Sequence, residues 1–200
     1  IRGQPRFIQF QEFAAMRMEV HVHGTVLLRA GTTSSQIEEA LRPWLDYMDE
    51  DNLADAKSVH PDEPGVVFDK RRRVLEVCWT GDVGRSFHQI VSEALAALNP
   101  FSEEAAAFEV SYYLEDGQDE FSMVFVGPTP EMIYEAQRRR MIEDVQNLLS
   151  RQFTEPEVAQ VSALINQLFE RNWKGGTTAA QAGSGSSEVV PMPPGRKHLH

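Results

Sequence analysis

Two segments of the chain repeat one pattern, in which an alternating strand leads into an amphipathic helix. From Glu19 to Arg29, apolar residues alternate with polar ones, as in a strand with one buried face. After a short polar loop, apolar residues recur at helical spacing as far as Met48. The pattern returns with a strand over 74–80 and a helix over 87–98. Two such units favour an α+β fold in which both helices cover one face of a shared sheet.

The remaining segments complete the order β-α-β-β-α-β-β. Short apolar runs on either side of 69–73 predict a β-hairpin, and Asp116-Gly117 predicts a second one. The first six elements have the order of a ferredoxin-like β-α-β-β-α-β unit, so we predict a ferredoxin-like antiparallel sheet over 18–127. Pro43 lies inside the first helical pattern and predicts a kink or a short first turn there.

The domain organisation outside 18–127 is read from composition and helix signals. Residues 128–175 predict a C-terminal αα-hairpin, packed on the sheet domain or on a partner, and Gly175-Gly176 are expected to end it. Residues 176–200 are rich in Gly, Ser and Pro, which predicts a disordered tail. Residues 1–17 are treated as an N-terminal extension of uncertain structure.

Charge and cysteine content limit the classes of partner. The net charge of −11 disfavours binding to nucleic acid or to an anionic membrane and is compatible with a basic protein partner. Cys78 is the sole cysteine, so an intrachain disulfide is excluded; it lies in an apolar strand pattern and is predicted to be a buried, inert thiol. No apolar run suffices to span a bilayer and no signal-peptide pattern is present, which predicts a cytoplasmic protein. Arginine outnumbers lysine, a bias typical of high-GC bacterial genomes.

His21 and His23 form an H-x-H pair on the first predicted strand. Because strand side chains alternate, both imidazoles should lie on one face at a spacing that can bind one metal ion. If the valines of this strand face the helices, the pair lies on the opposite, open face of the sheet, and two partly exposed histidines without a metal are the alternative. Further ligands for a divalent metal would have to be brought close by folding, from His60, Asp62, Glu63 or His88.

The segment Gly81-Asp82-Val83-Gly84-Arg85-Ser86 lies between a predicted strand and a predicted helix. Glycines and an arginine at a helix N-terminus can hold a phosphate or a carboxylate, so Gly81, Gly84, Arg85 and Ser86 are candidate anion ligands. An ordinary turn, with Ser86 as helix cap and Gln89 as its capping-box partner, is the alternative.

Two basic clusters, at 70–73 and at 138–140, are the features that would favour nucleic acid. They would have to share one face with aromatic side chains nearby. The second cluster can instead pair with acidic residues on its own helix, such as Glu135.

Three short runs, Val22–Leu28, Val77–Gly81 and Glu109–Tyr113, resemble an uncharacterised bacterial protein family over about residues 18–173. The resemblance implies no activity and no site residues. Hydrolase, zinc-protease and dinucleotide-binding motifs are missing from the sequence, so no catalytic residue is assigned. We therefore favour a non-enzymatic interaction or regulatory module that docks or dimerises through its helical hairpin. The alternatives are a metal- or anion-dependent enzyme using His21, His23 and the 81–86 segment, and nucleic-acid binding through the arginine clusters.

Overall fold

A computed structural model of the protein describes residues 18–114, 117 and 119–179. Within them the chain forms five strands: β1 (Met18–Leu27), β2 (Gly65–Asp69), β3 (Val74–Val83), β4 (Ala106–Tyr113) and β5 (Glu120–Val126). The α-helices of this part of the chain are α1 (Ser34–Ala40), α2 (Arg42–Met48), α3 (Phe87–Ala96), α4 (Pro130–Leu149) and α5 (Glu155–Ala179).

The strands form one antiparallel sheet in the order β2-β3-β1-β4-β5. β1 is the central strand, paired with β3 along its whole length and with β4 from Glu19 to Gly24. The predicted α+β class with an antiparallel sheet is confirmed. The sheet is not a simple ferredoxin-like arrangement, because β5 adds a strand beyond β4.

The core lies between one face of the sheet and the helices α1, α2 and α3. Val20, Val22 and Val26 of β1 are almost completely buried, as the alternating pattern predicted. They share a cluster with apolar residues of the helices, among them Trp44 and Phe87, whose rings meet edge to face at 6.0 Å. The other face of β1 therefore carries the polar residues of the strand.

The first predicted helix is two helices, α1 and α2, separated at Leu41. Pro43 lies in the first turn of α2, where its missing N–H removes no helical hydrogen bond. The predicted interruption at Pro43 is confirmed. At the start of α1, Thr33 and Gln36 form a capping box: the Thr33 hydroxyl accepts from Gln36 N, and the Gln36 side chain accepts from Thr33 N at 2.9 Å.

Two predictions about the 81–89 region are wrong. β3 does not break at Gly81 but continues to Val83, with Gly81 opposite Val20. The glycine is needed there because the Trp79 ring fills the space in which a side chain would lie. Ser86 does not cap α3 through its side chain, and Gln89 donates to Glu93 instead of completing a capping box.

The described chain divides into two compact units between Arg140 and Met141, within α4. The second unit contains the rest of α4 and α5, with Gln146 Nε2 donating to Ser162 Oγ at 3.2 Å. α5 continues through Gly175 and Gly176 to Ala179, so the predicted helix end is wrong. Glycine weakens a helix by about 1 kcal/mol relative to alanine but keeps both backbone hydrogen-bonding groups. The predictions for 1–17 and for the tail from 180 to 200 lie outside the described residues.

Among the residues that the structure describes, no helix combines the length and the apolar composition that a membrane crossing requires.

Candidate functional site

The open face of the sheet carries a cluster of polar side chains from β1, β3 and the loop that precedes β2. His21 and His23 lie on this face of β1, as predicted, because Val20 and Val22 occupy the opposite face. Directly across the ladder, His21 is paired with Thr80 and His23 with Cys78. Residues opposite each other in an antiparallel pair project from the same face, so β1 and β3 together form the floor of the site.

The loop from Ser58 to Glu63 is fastened to β3 and brings a carboxylate over this floor. Val59 N donates to Thr80 O at 2.9 Å, and Ser58 Oγ accepts from Thr80 N at 3.0 Å. Just before the loop, the Trp79 indole N–H donates to Lys57 O at 2.9 Å. These bonds hold the start of the loop against β3, and Glu63 at the end of the loop reaches the histidine face.

Glu63 is the centre of the hydrogen-bond network at this site. Thr80 Oγ1 donates to Glu63 Oε1 at 3.1 Å, and Ser58 Oγ donates to the other oxygen, Oε2. His21 Nδ1 lies 3.4 Å from Glu63 Oε1 and 2.9 Å from Thr80 Oγ1. The side chains of His21 and Glu63 are 26% and 19% exposed, so the pair is partly shielded but open to a small ligand.

The surroundings of the site shift the pKa values of Glu63 and Cys78. Burial raises the pKa of the Glu63 carboxyl. Hydrogen bonds from Ser58 and Thr80, together with the nearby His21 and His60, lower this pKa by more than burial raises it, so the net shift is downward. Burial raises the pKa of the Cys78 thiol, and the charges of Glu63 and Glu76 raise it more. The site therefore holds a carboxylate beside a thiol that keeps its proton.

Three groups of this face can act together as metal ligands. One donor atom each from His21, Glu63 and Cys78 lie within 4.8 Å of one another. The ring of His23 stacks on that of His21 with 6.1 Å between centroids, at the border of the cluster. Imidazole, carboxylate and thiolate are the ligand types that zinc binds in proteins.

Of the four residues that could have completed a histidine site, folding brings Glu63 into it and leaves His88 out. His88 lies on α3, and its Nδ1 is 3.1 Å from the hydroxyl of Tyr112, whose ring is buried on the helical face of the sheet. The prediction that Cys78 is a buried thiol is wrong. Cys78 is half-buried and free, because it alternates with Val77 and Trp79 and so projects from the open face.

The four predicted anion ligands do not converge in the same way. Gly81 is inside β3, and the N–H of Gly84 already donates to the hydroxyl of Tyr47 at 2.7 Å. Arg85 borders a cavity of about 300 Å³, whose other lining residues are Met18, His88, Tyr112, Leu114 and Glu120. The carboxylate of Glu120 in that cavity works against an anionic ligand. The anion site stays a prediction.

The two basic clusters take part in intramolecular contacts. Arg73, in the turn between β2 and β3, forms an ion pair with Glu103. On α4, Arg138 pairs with Glu135, and this hydrogen bond lowers the pKa of the Glu135 carboxyl. Arg140 lies 3.9 Å from Glu109. Nucleic-acid binding through these clusters stays a prediction, and these acidic partners would compete with it.

The fold and the site together define the class of protein: an α+β domain with one helix-covered sheet face and one open face carrying a His–Glu–Cys cluster. The chain belongs to a family of unknown function, DUF6806, whose sequence pattern matches residues 18–170. This match confirms the resemblance to an uncharacterised family. No curated protein and no solved structure matches the chain.

Proposed function

We propose that this protein is a non-enzymatic interaction module that self-associates through the hairpin of α4 and α5. One observation carries the proposal: the second unit exposes a row of large apolar side chains, each at least 38% exposed, namely Met141, Leu148, Phe153, Val161, Leu164 and Leu168. Apolar side chains grouped in this way are typical of surfaces that bind another protein.

The spacing of these residues gives them the form of a helix-packing seam. Val161, Leu164 and Leu168 are three and four residues apart, so they lie along one side of α5. Met141 and Leu148 are seven residues apart, two turns along one side of α4. Stripes with this period pack against other helices in bundles and coiled coils.

A second copy of the same hairpin is the partner that fits this surface. α4, which the structure describes throughout, has no fully buried residue, and between Glu155 and Trp173 only Val158 and Ser162 are buried. The hairpin therefore has little core of its own, whereas two hairpins from two copies supply the four helices of a bundle. The same row meets itself across a twofold axis in such a dimer.

The size of the surface is compatible with a dimer. The segment Glu155–Trp173 of α5 is about 28 Å long, and two adjacent helices are roughly 20 Å wide, which gives about 600 Å² per copy. Stable interfaces bury roughly 600–1,000 Å² per partner, so the hairpin face lies at the lower limit. We expect a dimer that dissociates on dilution.

We further infer that β1 to β4 with their helices are a ferredoxin-like unit extended by β5. The order β2-β3-β1-β4, all antiparallel, supports this inference, since it places the two strand–helix units side by side around β1. On this view the sheet domain is a scaffold and the hairpin is the docking element. A cytoplasmic location belongs to the same proposal, because the free thiol of Cys78 persists in a reducing compartment.

The proposal is tested by light scattering after size-exclusion chromatography of the full chain over a concentration series. We expect a dimer for the unaltered protein and a monomer for Leu148→Glu/Leu164→Glu, because two carboxylates would be buried unpaired in the interface. An unaltered protein that remains monomeric at high concentration would refute the proposal.

A matched control adds the same two charges elsewhere on the same helices. Asn147 and Ala163 are exposed and point away from the two stripes, so Asn147→Glu/Ala163→Glu should leave the dimer intact. Equal dissociation of both double variants would show that charge alone, and not the apolar row, controls association.

A further inference from the structure

We propose that His21, Glu63 and Cys78 form a binding site for a zinc-class transition-metal ion on the open face of the sheet. The proposal is independent of the hairpin and stands whether or not the protein dimerises. It rests on three ligand types from three separate parts of the chain whose donor atoms lie within 4.8 Å of one another.

The spacing of the donor atoms is close to that of a tetrahedral site. Zinc bonds of about 2.0–2.3 Å place tetrahedral ligand atoms roughly 3.3–3.8 Å apart. His21 Nδ1 and Glu63 Oε1 are already 3.4 Å apart. The three donor atoms all lie within 4.8 Å of one another, so side-chain movements of about 1 Å would complete the tetrahedral spacing.

A second set of side chains holds the carboxylate in position. Thr80 Oγ1 donates to one oxygen of Glu63 and Ser58 Oγ to the other. Thr80 is buried, and its own backbone N–H is bonded to Ser58, so both donors are fixed by the ladder of β3. Hydrogen bonds of this kind to a ligating carboxylate are typical of built metal sites.

The ligand set selects the class of metal. A thiolate and an imidazole favour zinc, cobalt and copper over magnesium and calcium, which prefer oxygen ligands alone. Binding replaces the S–H bond of Cys78 by a sulfur–metal bond, and the proton leaves to solvent. Three protein ligands leave one tetrahedral position, which is open to water on the exposed side of the site.

Cobalt(II) gives a direct readout of this site in the full, untagged chain under a non-thiol reductant. We expect one ion per chain, with d–d bands of tetrahedral intensity and a thiolate-to-cobalt charge-transfer band. Cys78→Ser should abolish the charge-transfer band, and Thr80→Val should weaken binding about 10–100-fold because it removes the bond that orients Glu63. Far-ultraviolet circular dichroism of each variant verifies that it is folded.

A second measurement needs no variant. Since Cys78 is the sole cysteine, its modification by a disulfide reagent can be followed without ambiguity, and zinc should slow it by about tenfold or more when the thiolate is bound. An unchanged modification rate at saturating zinc would overturn the proposal.

Other histidines provide the controls. His88→Gln removes an imidazole outside the cluster, and His198→Gln/His200→Gln removes two histidines that are distant from it in the sequence; neither change should alter the charge-transfer band. Cobalt binding without a thiolate band, or binding lost in the His198/His200 variant and kept in Cys78→Ser, would assign the metal to other residues and refute this site.

Discussion

The ring of Trp79 lies over Gly81, two residues farther along the same strand. A Cβ on Gly81 would be 2.5 Å from Cζ2 of the indole, well inside contact distance. The indole also contacts Phe87, with stacked rings 5.7 Å apart, so it has little room to withdraw. The glycine is therefore part of the packing of β3 and does not mark the end of the strand.

Replacing this glycine tests that relationship. Gly81→Ala should lower the free energy of unfolding by about 1–3 kcal/mol, because the Trp79 ring must leave its packed position. Urea unfolding followed by circular dichroism measures the change. Gly84→Ala is the control, since its Cβ would meet only the Tyr47 hydroxyl at an ordinary 3.5 Å. Equal stability of the two variants would contradict the packing argument.

Gly24, in the middle of β1, should tolerate a side chain even less. A Cβ there would lie 2.8 Å from Cγ of Phe108 and 2.9 Å from the carbonyl oxygen of Ala107. A ring can rotate but a backbone oxygen in a strand pair cannot, so Gly24→Ala should cost more than Gly81→Ala under the same conditions. The reverse order of the two unfolding midpoints would show that the ladder at Gly24 can shift.

The starts of α1 and α3 should respond differently to replacement of a hydroxyl residue by alanine. Thr33→Ala removes a hydroxyl that accepts from Gln36 N and should cost about 1 kcal/mol in thermal or urea unfolding. Ser86→Ala removes no capping bond and should change stability by less than about 0.5 kcal/mol. A large loss at Ser86 would mean that its side chain caps α3 in solution.

Because of Tyr112, we expect the free energy of unfolding to fall in strong alkali. Its burial, with the nearby Glu120, raises the pKa of the phenol to about 12 from 10.0. Between these two values the unfolded chain loses this proton and the folded protein keeps it, so stability falls as pH rises, by up to about 2 kcal/mol.

Urea unfolding at several pH values between 9 and about 12 measures this slope. Tyr112→Phe removes the titrating group and should flatten the curve, whereas Tyr113→Phe, at an exposed position, should not. A slope that is the same in the parent protein and in Tyr112→Phe would assign the alkaline loss to other residues.

Ser58 should contribute more to the free energy of unfolding than its partly exposed position suggests. Its hydroxyl contacts Glu63, the N–H of Thr80 and the N–H of His60 at once. Ser58→Ala should cost about 1–3 kcal/mol, because it leaves partners in the loop and in β3 unsatisfied. Ser34→Ala, at an exposed helical position, is the matched control for the lost hydroxyl. Equal unfolding midpoints for the two variants would show that the loop does not depend on Ser58.

The alternation along β1 carried most of the information about the fold that could be predicted. It identified the buried valines and placed His21 and His23 on the open face, and both inferences are confirmed. The end of β3 was missed because glycine signals a turn by local preference, whereas here the Trp79 ring, packed against Phe87, fills the space beside the glycine. The local preference of glycine for turns gives no information about such packing.

The candidate site could be predicted only in part from the sequence, for a related reason. The same period of two that places Val77 in the core places Cys78 on the face of the histidines, so its exposure could have been inferred from the pattern. The position of Glu63 could not be inferred, since it depends on how the loop from Ser58 to Glu63 is bonded to Thr80. Thr80 lies 17 residues after Glu63 in the chain. A loop conformation of this kind is set by long-range hydrogen bonds.

The central position of β1 has a consequence for how the His–Glu–Cys cluster would respond to a ligand. His21 and Cys78 stand on paired strands whose amides should exchange with deuterium only on extensive opening, whereas Glu63 belongs to a surface loop that can open locally. Two of the three groups are thus fixed by the sheet, and the third can move with its loop. A bound ion would register as slower deuterium uptake across the loop, with the strands beneath it unchanged.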